Sequence, residues 1–217
     1  MPELLELDPC NFCHEVAQAK NGYGLHFLQT HEAIALPTLG CFVRGYSLIV
    51  PTSHVASLAD LPGASRRPLF ETAEYVRERI EFLFGPTLIA EHGSGAPEEP
   101  TAACCVHAHL HLIPVGSAAF QVQHEYEATG GKGQGFEPEN DLDQLAGSSY
   151  LTLSLRPGEW TVWKDASRFP RQFVRRATAN ALGRPTVFDW KRSPFVEHMR
   201  ETTELMKRAI AAQNSDS

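Results

Sequence analysis

The sequence lacks any stretch that would span a membrane or mark the chain for export. Its first twenty residues, "MPELLELDPCNFCHEVAQAK", have neither a basic start nor a continuous apolar run, and no later segment approaches eighteen uncharged apolar residues. Cysteine is sparse and odd in number: five residues, with Cys104 and Cys105 adjacent, do not make the paired framework of a secreted disulfide scaffold, so a reducing compartment is expected. An excess of positive charge is also missing. A formal charge of −7 argues against non-specific binding to nucleic acid, although not against a small anion in a locally basic pocket. There is no internal repeat and no low-complexity tract. These absences predict a cytoplasmic chain with neither membrane nor nucleic acid as a partner. At 217 residues and 42% hydrophobic content it can bury a core as one domain, or one domain with an appendage.

Basic residues are unevenly placed. Eight of the nineteen Lys and Arg fall between Lys164 and Arg192, opposed there only by Asp165 and Asp189. The cluster is a candidate for attracting anions, and equally a solvated face. Ahead of it the chain opens as a β-rich meander: "LHFLQT", "AIALP" and "GYSLIVP" read as short strands, the last ending at Pro51. In "RPLFETAEYVRERIEFLFG", Leu69, Ala73, Val76, Ile80 and Leu83 recur at steps of four and three, with Pro68 near the start and Gly85-Pro86 at the end. This is the main helix. "TLIAEHG" is the next strand, "SGAPEEPTAA" a loop, and "CCVHAHLHLIP" a further strand. Residues 128–148, rich in Gly, Asp and Glu, read as a linker or mobile lid. After it, "SYLTLSL" and "EWTVWK" form a hairpin across "RPG". Helices follow around "PRQFVRRATANALG" and "SPFVEHMRETTELMKRAI". Ser193 is the expected N-cap of the last helix and Pro194 its first residue, with Val196, Met199, Met206 and Ile210 on one face; the Met residues are core filler.

The chemistry concentrates in "CCVHAHLHLIPVG". In an extended segment side chains alternate, so His107, His109 and His111 share one side while Ala108, Leu110 and Leu112 anchor the other. Imidazoles about 6.5–7 Å apart along a strand can act on one small group or ligate one ion. An imidazole with an ordinary pKa of about 6.5 is largely unprotonated at pH 7 and a competent nucleophile once it is oriented. Cys10-x-x-Cys13 is a candidate metal or redox pair. The βαβ setting of a thioredoxin-like redox centre is not evident around it.

"HAHLHLIP" resembles the His-φ-His-φ-His-φ-φ signature of the histidine triad superfamily of nucleotide hydrolases and transferases. The likeness extends to "CNFC" near the start, to "GYSLIVPTSHVASLADL" before the main helix, and to "EHG" before the loop that leads into the triad. It covers about residues 10 to 115 in the family's order. The tail from Ser149 is similar to an extension of some bacterial members, with "PRQFVRRATANALG" and "FDWKR" as landmarks. Two positions depart from the family: Tyr46 stands where histidine is common, and Cys104 where a phosphate-binding serine is common, in a longer loop.

The resemblance implies an α+β fold: an antiparallel meander sheet of about five strands with a main helix, extended by a C-terminal hairpin and helices. Its parts would be a catalytic domain over 1–127, the linker or lid over 128–148, and an extension over 149–217 that packs on the catalytic domain. It implies a nucleotide hydrolase acting at the α-phosphorus of a nucleoside polyphosphate, phosphate ester or phosphoramidate. His109 would be the nucleophile, forming a covalent nucleotidyl-histidine, and His111 its catalytic partner. His92, Gly93, Cys104, Gln172 and Arg175 would contact substrate. Cys10, Cys13, His54 and His107 would hold a structural zinc, with no catalytic cofactor. A homodimer is expected, as for many small enzymes of this kind. Three alternatives stay open: a nucleotidyltransferase or dinucleotide phosphorylase of the same superfamily, a metal-dependent hydrolase whose histidines ligate a catalytic ion, and a catalytically silent nucleotide-binding or sensor protein that keeps the scaffold.

Overall fold

In a computed structural model of the protein, residues 10–22, 24–95 and 107–215 are described. Strands β1 (Leu28–Gln29), β2 (Ala33–Pro37) and β3 (Ser47–Pro51) form the expected meander, preceded by helix α1 (Asn11–Lys20). Helix α2 (Gly63–Phe84) leads to β4 (Thr87–Gly93), and β5 (Leu110–Pro114) follows the loop. Helix α3 (Ala119–Gly130), β6 (Gln134–Phe136) and the short α4 (Pro138–Asp141) come next. The hairpin β7 (Tyr150–Arg156) and β8 (Glu159–Lys164), then α5 (Phe173–Ala181) and α6 (Val196–Ser215), complete the chain.

All eight strands join one antiparallel sheet in the order β1-β2-β3-β5-β4-β7-β8-β6. The expected five strands are its first part; the extension adds the hairpin β7–β8, with β7 pairing along β4 from Gly93–Tyr150 to Ile89–Ser154, and β6, from residues 128–148, adds the eighth strand beside β8. Both faces of the sheet are covered, which is why β2, β3, β4 and β5 are buried along their whole length instead of alternating inside and out. Ile49, Ile89, Leu110 and Leu112 face α2, whose Leu69, Ala73, Val76 and Ile80 form the matching apolar stripe. Leu48, Val50, Leu88, Ala90 and Ile113 lie on the opposite face with Tyr126 of α3 and Phe173 and Val174 of α5.

Four expectations are corrected. The regular strand of the triad begins at Leu110, so His107 and His109 belong to the extended entry that precedes it. Helix α2 begins at Gly63, five residues before Pro68, which lies inside it; Arg66 fastens the first turns by donating to Leu61 O, Ala59 O and Asp143. Residues 128–148 are packed secondary structure where a linker or lid was expected: Phe136, Leu142 and Leu145 are buried, and the Leu pair anchors a one-turn helix whose three-residue period the helix and strand templates miss. The last helix starts at Val196, because Phe195 adopts φ 48°; Met199 N–H then bonds to Phe195 O, Ser193 falls outside the cap, and Val196 is exposed. No helix among the described residues is long and apolar enough to cross a membrane.

Candidate active site and metal centre

Cys10 precedes the first residue of α1 and Cys13 lies in its first turn, which brings both sulfurs to one side of the helix start. There they meet His54, beyond the end of β3, and His107, at the entry to β5. The four ligand atoms all lie within 4.8 Å of one another. Cys10 Sγ and Cys13 Sγ are 3.5 and 3.6 Å from His107 Nδ1, and Cys13 Sγ is 3.0 Å from His54 Nδ1. A tetrahedral ion with Zn–S of about 2.3 Å and Zn–N of about 2.0–2.1 Å sets sulfur and nitrogen about 3.5 Å apart, so the donor set fits such a site. The Nε2 of His107 donates to Pro51 O at 2.9 Å, which turns Nδ1 to the sulfurs in the manner of an outer-shell contact.

His109 is turned the other way. Its Nδ1 donates to the carbonyl oxygen of His107 at 2.9 Å, fixing the tautomer that leaves Nε2 as the acceptor or nucleophilic nitrogen. Its ring lies 5.1 Å from that of Phe12, in α1, and 4.6 Å from that of His111. His111 pairs with Leu48 of β3 and Ala90 of β4 in the middle of the sheet. Burial, followed by the charges of His109 and Arg175, holds its pKa well below the usual histidine range, so the ring is neutral. Tyr46 has no exposed surface, and its hydroxyl lies 2.7 Å from His111 Nδ1. Where the phenol is the donor, a neutral ring accepts at Nδ1 and carries its hydrogen on Nε2.

His92, on β4 two residues beyond Ala90, shares the face of His109 and His111. Burial and the charge of His109 depress its pKa to about 4. These three histidines and Gln172, Phe173, Val174 and Arg175 line one narrow cleft, the sheet forming one wall and the start of α5 the other. Five of the proposed site residues therefore converge, from segments up to 83 residues apart (92 to 175). Gly93 does not line this cleft; it packs against the ring of Tyr150, leaving no room for a Cβ. Cys104 lies outside the described residues.

The guanidinium of Arg175 is committed elsewhere. Nε donates to Phe188 O at 2.7 Å and Nη2 to Gly40 O at 2.6 Å, and its carbon lies 5.3 and 5.2 Å from the Phe42 and Tyr46 ring centroids. Much of the basic cluster is spent in the same way: Arg184 donates to Phe42 O and Arg176 stacks on Phe188. Behind the site, on the α2 face, Glu91 accepts from Leu58 N–H and Tyr150 OH, both at 2.7 Å, and burial raises its pKa to about 7. Tyr46, as a hydrogen-bond partner, and the Glu91–Tyr150 pair were not identified from the sequence; only the pairing of strands brings them to these places.

A His-x-His-x-His segment entering the central strand of an antiparallel meander, with one imidazole turned to a Cys/His cluster and the next held by a backbone carbonyl, completes the expected arrangement. Solved structures of histidine triad proteins are similar to it. Solved structures similar to the chain include a Zn-bound histidine triad family protein from Mycobacterium smegmatis, at 15% identity over 96% of this chain and 98% of that one, with a TM-score of 0.49. A HIT family protein from Bacillus anthracis matches at 21% identity over 49% of this chain and 73% of its own, and one from Bacillus subtilis at 17% over the same shares, both with TM-scores of 0.41. No protein-family model and no curated protein matches the chain. Within the triad, His107 alone joins the metal-capable cluster among the described residues.

Proposed function

We propose that the chain is a histidine triad nucleotide hydrolase that attacks the α-phosphorus of a nucleoside polyphosphate, phosphate ester or phosphoramidate. The observation that carries this reading is the 2.9 Å bond from His109 Nδ1 to His107 O, which commits that nitrogen as a donor and leaves the Nε2 lone pair for phosphorus. In the first step an Nε2–P bond forms and the bond from phosphorus to the leaving group breaks, the leaving group departing with the electron pair. The Nε2–H of neutral His111 bonds a phosphoryl oxygen whose charge grows in the transition state. In the second step water adds to phosphorus, the N–P bond breaks, the water's proton passes to solvent, and His109 is regenerated as the neutral ring. An acceptor other than water would make the same intermediate a transferase intermediate.

On this reading Cys10, Cys13, His54 and His107 hold a zinc ion that contributes folding free energy by tying the start of α1 to the entry of the triad strand. The division of labour speaks against a catalytic ion held by His107 and His109 together, since their ligating nitrogens are used in different ways. A cytosolic homodimer is part of the proposal. Turnover in ¹⁸O-labelled water tests the reaction: the label is expected in the nucleoside monophosphate product. Label found only in the departing phosphate places attack on another phosphorus and refutes it.

A further inference from the structure

We infer that the head of α5, from Gln172 to Arg175, is an anion cradle that holds the phosphate leaving group opposite the histidines; this rests on the hydrolase reading above. The first residues of α5 line the cleft. Gln172 precedes it at φ 59°, a left-handed conformation that costs a non-glycine residue energy and turns the chain sharply into the helix. The first helical bond is from Arg176 N–H to Gln172 O, at 2.9 Å. Among the described residues no acceptor meets the N–H groups of Phe173, Val174 and Arg175, and the Gln172 side chain does not cap them. Three backbone donors and the positive end of the helix dipole thus belong to residues that line the wall opposite the sheet histidines.

A second observation is independent of the helix. His92 is only 8% exposed, lines the same cleft, and its Nε2 has no hydrogen-bond partner among the described residues. Gln172 Oε1 is likewise buried there without a partner among the described residues, and a half-turn of that carboxamide offers NH2 in its place. Buried polar atoms without partners are rare enough to call for an explanation, and a ligand in the cleft supplies one for both. The guanidinium of Arg175 fastens the head of α5 to Gly40 O and Phe188 O, which leaves its backbone N–H as the part of the residue offered to an anion in the cleft. Phosphorus between the two walls places the entering nitrogen on the sheet side and the departing oxygen on the helix side. That is the in-line arrangement displacement at phosphorus requires. As the phosphorus–oxygen bond breaks, the departing phosphate gains one negative charge, and the α5 donors stabilise it without reorganising.

The test is calorimetric binding of inorganic pyrophosphate to the full-length, metal-loaded protein and to its Val174→Pro and Gln172→Gly variants. Proline in the first turn of a helix removes one N–H without breaking the helix, and glycine relieves the left-handed strain at 172 while deleting the carboxamide. Wild type should bind pyrophosphate. Val174→Pro should weaken binding about ten-fold or more, as for the loss of a charge-assisted bond, and Gln172→Gly about three- to ten-fold, with melting temperature and metal content reported for each. If Val174→Pro does not fold, Gln172→Gly decides. Unchanged affinity in a folded variant, or no binding by wild type at millimolar pyrophosphate, overturns the cradle. Labelling of His109 reports separately on the hydrolase reading: loss of label with pyrophosphate binding intact refutes that reading and leaves the cradle, and label with unaltered variant affinities does the reverse.

Discussion

Replacing Tyr46 by phenylalanine removes a single oxygen from a fully buried side chain and leaves the ring's packing against Phe42 and Arg175 in place. What is lost is the 2.7 Å bond to His111 Nδ1. Since that nitrogen is buried, leaving it unsatisfied should cost about 1–3 kcal/mol of stability. The effect on chemistry has a separate origin. In the proposed mechanism the phenol donates to Nδ1 and so keeps the hydrogen of His111 on Nε2, where it can reach a phosphoryl oxygen; without it the ring is at liberty to exchange tautomers. Losing about 1.4 kcal/mol of this preference lowers the single-turnover rate about ten-fold, less than removing His111 altogether. Rapid-quench kinetics measure the rate, and ¹⁵N spectra of labelled histidine report the tautomer directly, which a merely structural role would not shift. Adding Tyr46→Phe to His111→Ala should cause little further loss, because the tyrosine acts through that ring. An unchanged tautomer with an unchanged rate, or independent losses that multiply in the double variant, would refute the reasoning.

Three further outcomes follow from the same geometry. Glu91 and His92 should give opposing pH dependences of stability. The folded state retains a proton on Glu91 up to about pH 7, so that stability falls as pH rises from about 4.5, whereas His92 resists protonation down to about pH 4, so that stability rises between there and about 6.5. Each contributes about 3 kcal/mol, so urea titrations across pH 4.5–7 should show Glu91→Gln gaining a rising slope and His92→Gln a falling one relative to wild type; parallel profiles would contradict both assignments. Cys10→Ser or Cys13→Ser should lose metal and melt earlier, and full metal retention in the double substitution would remove the site. Arg175→Ala should lower stability by about 3 kcal/mol through two lost carbonyl bonds, with Arg175→Lys a poor replacement for the planar fork; wild-type stability in the alanine variant would show that the guanidinium is not the anchor of α5.

The central strands were legible as short apolar runs bounded by turn residues, and the hairpin and the main helix through apolar periods of two and of three to four. The meeting of Cys10, Cys13, His54 and His107, which lie on three separate segments, was legible through the resemblance. What escaped depends on partners distant in sequence. The role of Tyr46 follows from β3 pairing with β5 so that Leu48 sits beside His111, a register no local pattern encodes. Residues 128–148 read as a linker because Gly, Asp and Glu dominate them, yet Phe136, Leu142 and Leu145 suffice to pin them to the core. The basic tail reads as an anion attractor, whereas Arg175 and Arg184 reach back to carbonyls of Gly40 and Phe42. Residue type set the charge, and packing decided where it was spent.

The central claim is that three histidines at a spacing of two have three different tasks, and one measurement on three variants tests it: acid-quenched transfer of labelled nucleotide to the protein, with bound metal determined on the same samples. His109→Ala should show no covalent label, turnover lowered at least about 10³-fold, and wild-type metal content. His111→Ala should keep some label while turning over about 10–10³-fold more slowly. His107→Ala should chiefly lose metal and thermal stability. Loss of metal in His109→Ala, together with turnover in wild-type apoprotein restored by added divalent ions, would contradict the account and make the triad a set of metal ligands.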